Sequence, residues 1–116
     1  MNDMTLEERL DFIEFRQELL FHNSPIDRVL FSHNVTRSQS KDIVDLFYTY
    51  RKDIENGDLV HSVSYELSIG EIVPHKKHDY HFAESLALTY YEGRQFEEVF
   101  LALYGDDPKF QNYLHD

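Results

Sequence analysis

Thr36-Arg37-Ser38-Gln39-Ser40-Lys41-Asp42-Ile43-Val44-Asp45-Leu46-Phe47-Tyr48-Thr49-Tyr50-Arg51-Lys52-Asp53-Ile54-Glu55-Asn56-Gly57 reads as one helix from cap to stop. Thr36 and Gln39 have the spacing of a capping box, in which each side chain satisfies a backbone N–H that the first turn leaves open. Ile43, Leu46, Phe47, Tyr50 and Ile54 fall at i, i+3, i+4, i+7 and i+11, a single apolar face. Gly57, after Asn56, supplies the stop, because glycine takes the left-handed conformation at little cost. A helix with one apolar face must bury it against neighbours, and the rest of the chain offers helices to do so.

Downstream, residues 58–74 are ambiguous. Alternation over Leu59–Ser64 would suit a strand, but a lone strand has no partner elsewhere in the chain. The reading is therefore a capped helix from Ser62 or Ser64 to about Val73, weakened at Gly70 by roughly 1 kcal/mol relative to alanine and ended by Pro74. After the polar connector His75-Lys76-Lys77-His78, Phe82, Ala83, Leu86, Ala87 and Tyr90 mark one helix. Phe96, Val99, Phe100, Leu103 and Tyr104 mark another, joined to it by the turn Glu92-Gly93-Arg94. Such a short link predicts a helical hairpin over about residues 79–104. Gly105-Asp106-Asp107-Pro108 closes it, and Phe110, Tyr113 and Leu114 in the tail are spaced to pack back.

Upstream, Ser24-Pro25-Ile26-Asp27 opens a short helix ending near Ser32-His33-Asn34. Before it, Thr5 and Glu8 form a capping box for an amphipathic helix over about residues 5–21. Leu6, Leu10, Ile13, Gln17 and Leu20 alternate at spacings of four and three, a heptad seam over two heptads with Gln17 as its polar member. Phe12, Phe15 and Leu19 form a second stripe beside it. One neighbour cannot cover both stripes. Either this helix is central in the monomer, or one stripe meets another subunit.

The chain has 116 residues, 41% of them hydrophobic and 15% aromatic, enough for one small domain over residues 1–116 with a core of its own. Twenty-two acidic against 11 basic residues give a formal charge of −11, which repels phosphate backbones and disfavours nucleic-acid binding. The absence of cysteine excludes disulfides, thiolate metal sites and thiol nucleophiles. No stretch approaches the ~18 apolar residues of a membrane span. Met1-Asn2-Asp3-Met4-Thr5 lacks the basic and apolar regions of a secretory signal, so the expected location is the cytoplasm.

Two resemblances follow from these residues. Tyr90-Tyr91-Glu92-Gly93-Arg94-Gln95-Phe96-Glu97-Glu98-Val99 resembles the helix–turn–helix of a tetratricopeptide repeat, with Asp107-Pro108 where such repeats end. Only one unit is present, and arrays need about three, so this is read as an isolated hairpin. Over about residues 5–104 the chain also resembles the YhaI-like family of small uncharacterised proteins from Gram-positive bacteria. The cues are Leu6-Glu7-Glu8-Arg9-Leu10, the Asn56-Gly57 stop, Asp79-Tyr80-His81 before an apolar helix, and the pattern running through Val99-Phe100. The resemblance implies an all-helical, self-associating bacterial protein and no assigned activity. The chain departs from the pattern in the His75–His78 connector and after Gly105.

The chemistry on offer is sparse. His75, His78 and His81 form H-x-x-H-x-x-H with Asp79 inside, so imidazoles three apart could share a metal that a carboxylate completes. Lys76 and Lys77 oppose a cation there, and the competing reading is a solvated connector with Asp79 as a helix cap. His81 oriented by Asp79 lacks the second positioned group that acid–base catalysis needs. Full protonation of the seven histidines would move the charge from −11 to −4, so association could respond to acid. The acidic runs Glu7, Glu8, Asp11, Glu14, Glu18 and Glu92, Glu97, Glu98, Asp106, Asp107 read as wet faces, or as a decoy for a basic partner. There is no glycine-rich phosphate loop, nucleophile elbow or calcium loop.

The expectation is thus an all-α domain of five or six helices, without catalytic role or cofactor. It would be an interaction module forming an intertwined homo-oligomer, dimer or trimer, through Leu6, Leu10, Ile13, Gln17 and Leu20. An unidentified protein partner is compatible with this reading; nucleic acid and membrane are not. The alternatives are a metal sensor or enzyme using His75, His78, His81 and Asp79, and an acidic inhibitor of a basic groove.

Overall fold

The computed structural model describes residues 4–114. Met1–Asp3, on which the reading of the N-terminus partly rests, and the last two residues of the tail lie outside the described residues. Six α-helices run in order: α1 Leu6–His22, α2 Pro25–Ser32, α3 Arg37–Glu55, α4 Ser62–Ile72, α5 Tyr80–Glu92 and α6 Glu97–Tyr104. Short 3₁₀ turns occupy Pro74–Lys76 and Pro108–Tyr113, and the described residues contain no strand. No helix among them is long and apolar enough to cross a membrane.

The helix starts are written in the chain. Thr5–Glu8, Ser24–Asp27 and Thr36–Gln39 all close as reciprocal capping boxes, and Asp79 accepts a hydrogen bond from the Phe82 backbone N–H at 3.3 Å. The α3 stop is also as expected, with Gly57 at φ +81°. Two details differ. Helix α4 starts at Ser62, one of the two expected starts, but it is not side-chain capped: the residue before it, His61, makes no cap hydrogen bond. The link between α5 and α6 extends to Phe96, and its left-handed residues are Arg94 (φ 61°) and Phe96 (φ 52°), while Gly93 has an ordinary negative φ. Phe96 accepts that backbone because its ring is buried against Phe47, Tyr48 and Tyr90, at centroid distances of 5.1–5.4 Å.

The core lies between α3, α4, α5 and α6, with α5 packed against α2, α4 and α6. The expected faces are the buried ones. Ile43, Phe47 and Tyr50 of α3 are enclosed, as are Phe82, Ala83, Leu86, Ala87 and Tyr90 of α5 and Val99, Phe100, Leu103 and Tyr104 of α6. Phe47 meets Tyr65 at 5.6 Å edge-on and Tyr90 at 5.0 Å, and Tyr91 stacks on Phe100 at 4.7 Å. Two tyrosine hydroxyls inside this core have partners. Tyr65 donates to the Ala83 carbonyl at 2.7 Å, and Tyr104 donates to Glu66 at 2.6 Å. Burial raises the Tyr65 and Tyr104 hydroxyls well above the ordinary phenol value, and lifts Tyr90 to about 12, chiefly by burial with the Asp27 charge adding to it.

The tail packs back as its spacing implied, though only in part. Phe110 is buried against Phe100 and Tyr104, both at 5.4 Å, Leu114 packs at the edge of the core, and Tyr113 stays exposed. Lys109 reaches from the tail to the buried Glu84 carboxylate at 2.6 Å, so α5 keeps an acid inside without leaving it unpaired. The turn before the tail needs glycine, since a Cβ on Gly105 would run into the Leu101 carbonyl oxygen.

Gly105→Ala is therefore expected to cost about 1–3 kcal/mol, as overpacking against fixed backbone does. Tyr65→Phe should cost about 0.5–1.5 kcal/mol, the worth of one hydrogen bond. Urea unfolding of each variant against the parent measures both.

Candidate functional site

The first helix is apolar on two sides, and its own molecule covers one. Phe15 and Leu19 are 8% and 4% exposed, while Leu6, Leu10, Ile13 and Leu20 are 70%, 51%, 53% and 58% exposed and Phe21 is 86%. Gln17, also exposed, completes the outer seam. The alternative of a helix central in the monomer is thereby corrected: α1 packs on α2 and the start of α3 and stands at one side of the body.

Two arginines fix which face turns inward. Arg16 of α1 donates to the Phe31 carbonyl and the Asn34 side chain, both at 2.9 Å, with its guanidinium 3.8 Å from the Phe31 ring centre. Arg37, the first residue of α3, makes a paired contact with Glu18 at 2.7 and 2.8 Å, adds Asp11 at 3.0 Å, and lies over the Phe15 ring. The hydrogen bond from Arg37 holds the Glu18 carboxyl below its ordinary value. Two members of the acidic run on α1 are thus a dock for Arg37 and not merely a wet face. That pairing spans 19 and 26 residues of sequence, and no local spacing announces it.

The outer seam keeps its charges uncommitted. Arg9 lies on one side of it and Glu14 on the other, both exposed, and neither side chain has a partner among the described residues.

The histidine segment does not converge. His75 Nε2 lies 2.7 Å from the His33 carbonyl oxygen, a geometry in which the ring nitrogen donates. His78 sits at φ 71° and is exposed. Asp79 is occupied by the α5 cap and by Lys76 at 3.6 Å, and His81 lies 3.6 Å from Glu84. Among the described residues no group of three histidines, aspartates or glutamates is placed to hold a metal. Beside this segment an open groove of about 420 Å³ is lined by Val63, Leu67, Gly70, Lys77 and Tyr80 together with Glu66, Glu71, His78 and Asp79. The sequence did not announce it, because its walls come from α4 and from the connector before α5.

No family model, no curated protein and no solved structure matches this chain. The YhaI-like resemblance therefore rests on the sequence pattern alone.

One titration of a half-buried group is set by this end of the molecule. His33 packs on Phe82 at 4.8 Å, and its imidazole is held below the ordinary 6.5 by burial first and then by the Lys76 charge, with His75 adding to this and Asp79 opposing it. The unfolded chain gains that proton near pH 6.5, the folded one only at lower pH. The contribution is complete above pH 6.5 and is lost as the pH falls through the lower folded value. Urea midpoints taken from pH 7.5 to 5 should decline over that window, and His33→Gln should flatten the decline.

Proposed function

We propose that this protein is a non-catalytic cytoplasmic interaction module that self-associates through α1, with Leu6, Leu10, Ile13, Gln17 and Leu20 as the contact. The observation that carries the reading is the half-or-more exposure of four apolar seam residues on a helix whose opposite face is already buried. Contiguous apolar surface of this kind marks interaction sites on soluble proteins. Heptad spacing is what a second helix would pack against, knob into hole. The body of the molecule does not need the seam, since α1 is anchored by Phe15, Leu19, Arg16 and Arg37 on its inner side. The YhaI-like resemblance points the same way, toward an all-helical assembly without an assigned reaction.

Sedimentation velocity over a wide concentration range tests this. The parent should associate, and Leu10→Glu or Ile13→Glu should be monomeric at concentrations where the parent is not. A carboxylate forced into the contact from each chain, at about 1–3 kcal/mol apiece, raises the dissociation constant by roughly a hundredfold. Circular dichroism of the variants should match the parent, because the substituted positions face water in the monomer. A parent that stays monomeric throughout would overturn the proposal.

A further inference from the structure

The charges beside the seam carry an orientation. In the heptad frame Leu6, Ile13 and Leu20 occupy the d positions and Leu10 and Gln17 the a positions. Glu7 and Glu14 are then at e, and Arg9 and Arg16 at g. In a parallel pair, each g residue faces the e residue five places further along the partner helix. Arg9 of one copy then faces Glu14 of the other, twice over by symmetry, and neither has a side-chain partner among the described residues of its own chain. In an antiparallel pair e faces e and g faces g, which sets glutamate against glutamate and arginine against arginine. Gln17 discriminates in the same sense. A parallel, in-register seam stacks Gln17 on Gln17, where two amides satisfy one another. In an antiparallel one a faces d, which sets each amide against an aliphatic side chain, Leu6 or Ile13.

Resting on the self-association reading, we infer that two copies of this chain join through α1 in parallel and in register, with Gln17 facing Gln17 and Arg9 paired to Glu14 across the contact. Arg16, the other g residue, is taken by Phe31 and Asn34 within its own chain, so among the flanking charges Arg9 and Glu14 set the polarity.

The chain has no cysteine, so a single introduced thiol reports orientation without background. Leu20→Cys is at an exposed site, where the fold should be indifferent to the change. A parallel, in-register seam brings the two thiols together, and air oxidation of Leu20→Cys alone should give covalent dimer. In an antiparallel seam a faces d, so position 20 lies opposite position 10 where the helices overlap most, and its two copies are about 15 Å apart, beyond disulfide reach. Cross-linking that requires a mixture of Leu20→Cys and Leu10→Cys would overturn the inference and leave self-association standing. Dimer by sedimentation with cross-linking in neither arm would also overturn it, by placing the contact on another face. A monomeric parent removes the underlying reading itself. As a second measure, Glu14→Arg should weaken association roughly tenfold by reversing two exposed pairs, and adding Arg9→Glu should restore it. In an antiparallel seam e faces e and g faces g, so positions 9 and 14 never meet; failure of Arg9→Glu to restore what Glu14→Arg removes would overturn the inference.

Discussion

One aromatic ring joins most of this fold. Phe47, fully buried on α3, touches Tyr65 of α4, Tyr90 of α5 and Phe96 at the head of α6. Aromatic side chains each bury about 150–250 Å², and their tilted and edge-on contacts add about 0.5–1.5 kcal/mol beyond area. Four segments that are distant in sequence thus share one point of contact. Without tryptophan or cysteine, and with many of its tyrosines and phenylalanines inside, the chain builds rigidity from ring packing and closes the Tyr65 and Tyr104 hydroxyls onto a carbonyl and a carboxylate. Elements further from Phe47 are attached by charged side chains. Arg16 and Arg37 fasten α1, and Lys109 fastens the tail to Glu84.

That division explains what could be read before coordinates and what could not. Helix starts are local chemistry, so Thr5–Glu8, Ser24–Asp27 and Thr36–Gln39 were legible from four-residue spacings. Buried faces are periodic, so those of α3, α5 and α6 were legible too. The attachments were not. Arg37 lies in a capping segment where nothing in the neighbouring residues points to Glu18 or Asp11. Glu84, inside an apolar run, gives no hint that its partner is a lysine in the tail. The hairpin differs in kind. The sequence places the turn at Glu92-Gly93-Arg94, yet the chain turns left-handed at Arg94 and Phe96, where a buried phenylalanine ring holds it. For α1, spacing identified both stripes but not which of them faces inward. That choice is made by Arg37, which draws the Asp11 and Glu18 side of the helix onto α3.

The two sides of α1 accordingly answer to different demands. The inner side is short of apolar area for a 17-residue helix and relies on guanidinium contacts with backbone and carboxylate. The outer side carries more leucine than solvent favours and holds its charges in reserve. One side is covered by the molecule's own body, and the other is left open.

Phe96 has a consequence for how this molecule can vary. Glycine there would relax the dihedral but remove the ring that Phe47, Tyr48 and Tyr90 surround. A branched aliphatic residue would keep the bulk and resist the backbone angle. Single substitutions in either direction lead to a less stable chain, so the bend should be an evolutionary bottleneck. Its length and shape should drift more slowly than those of the connectors around it, and related chains should betray their kinship there first.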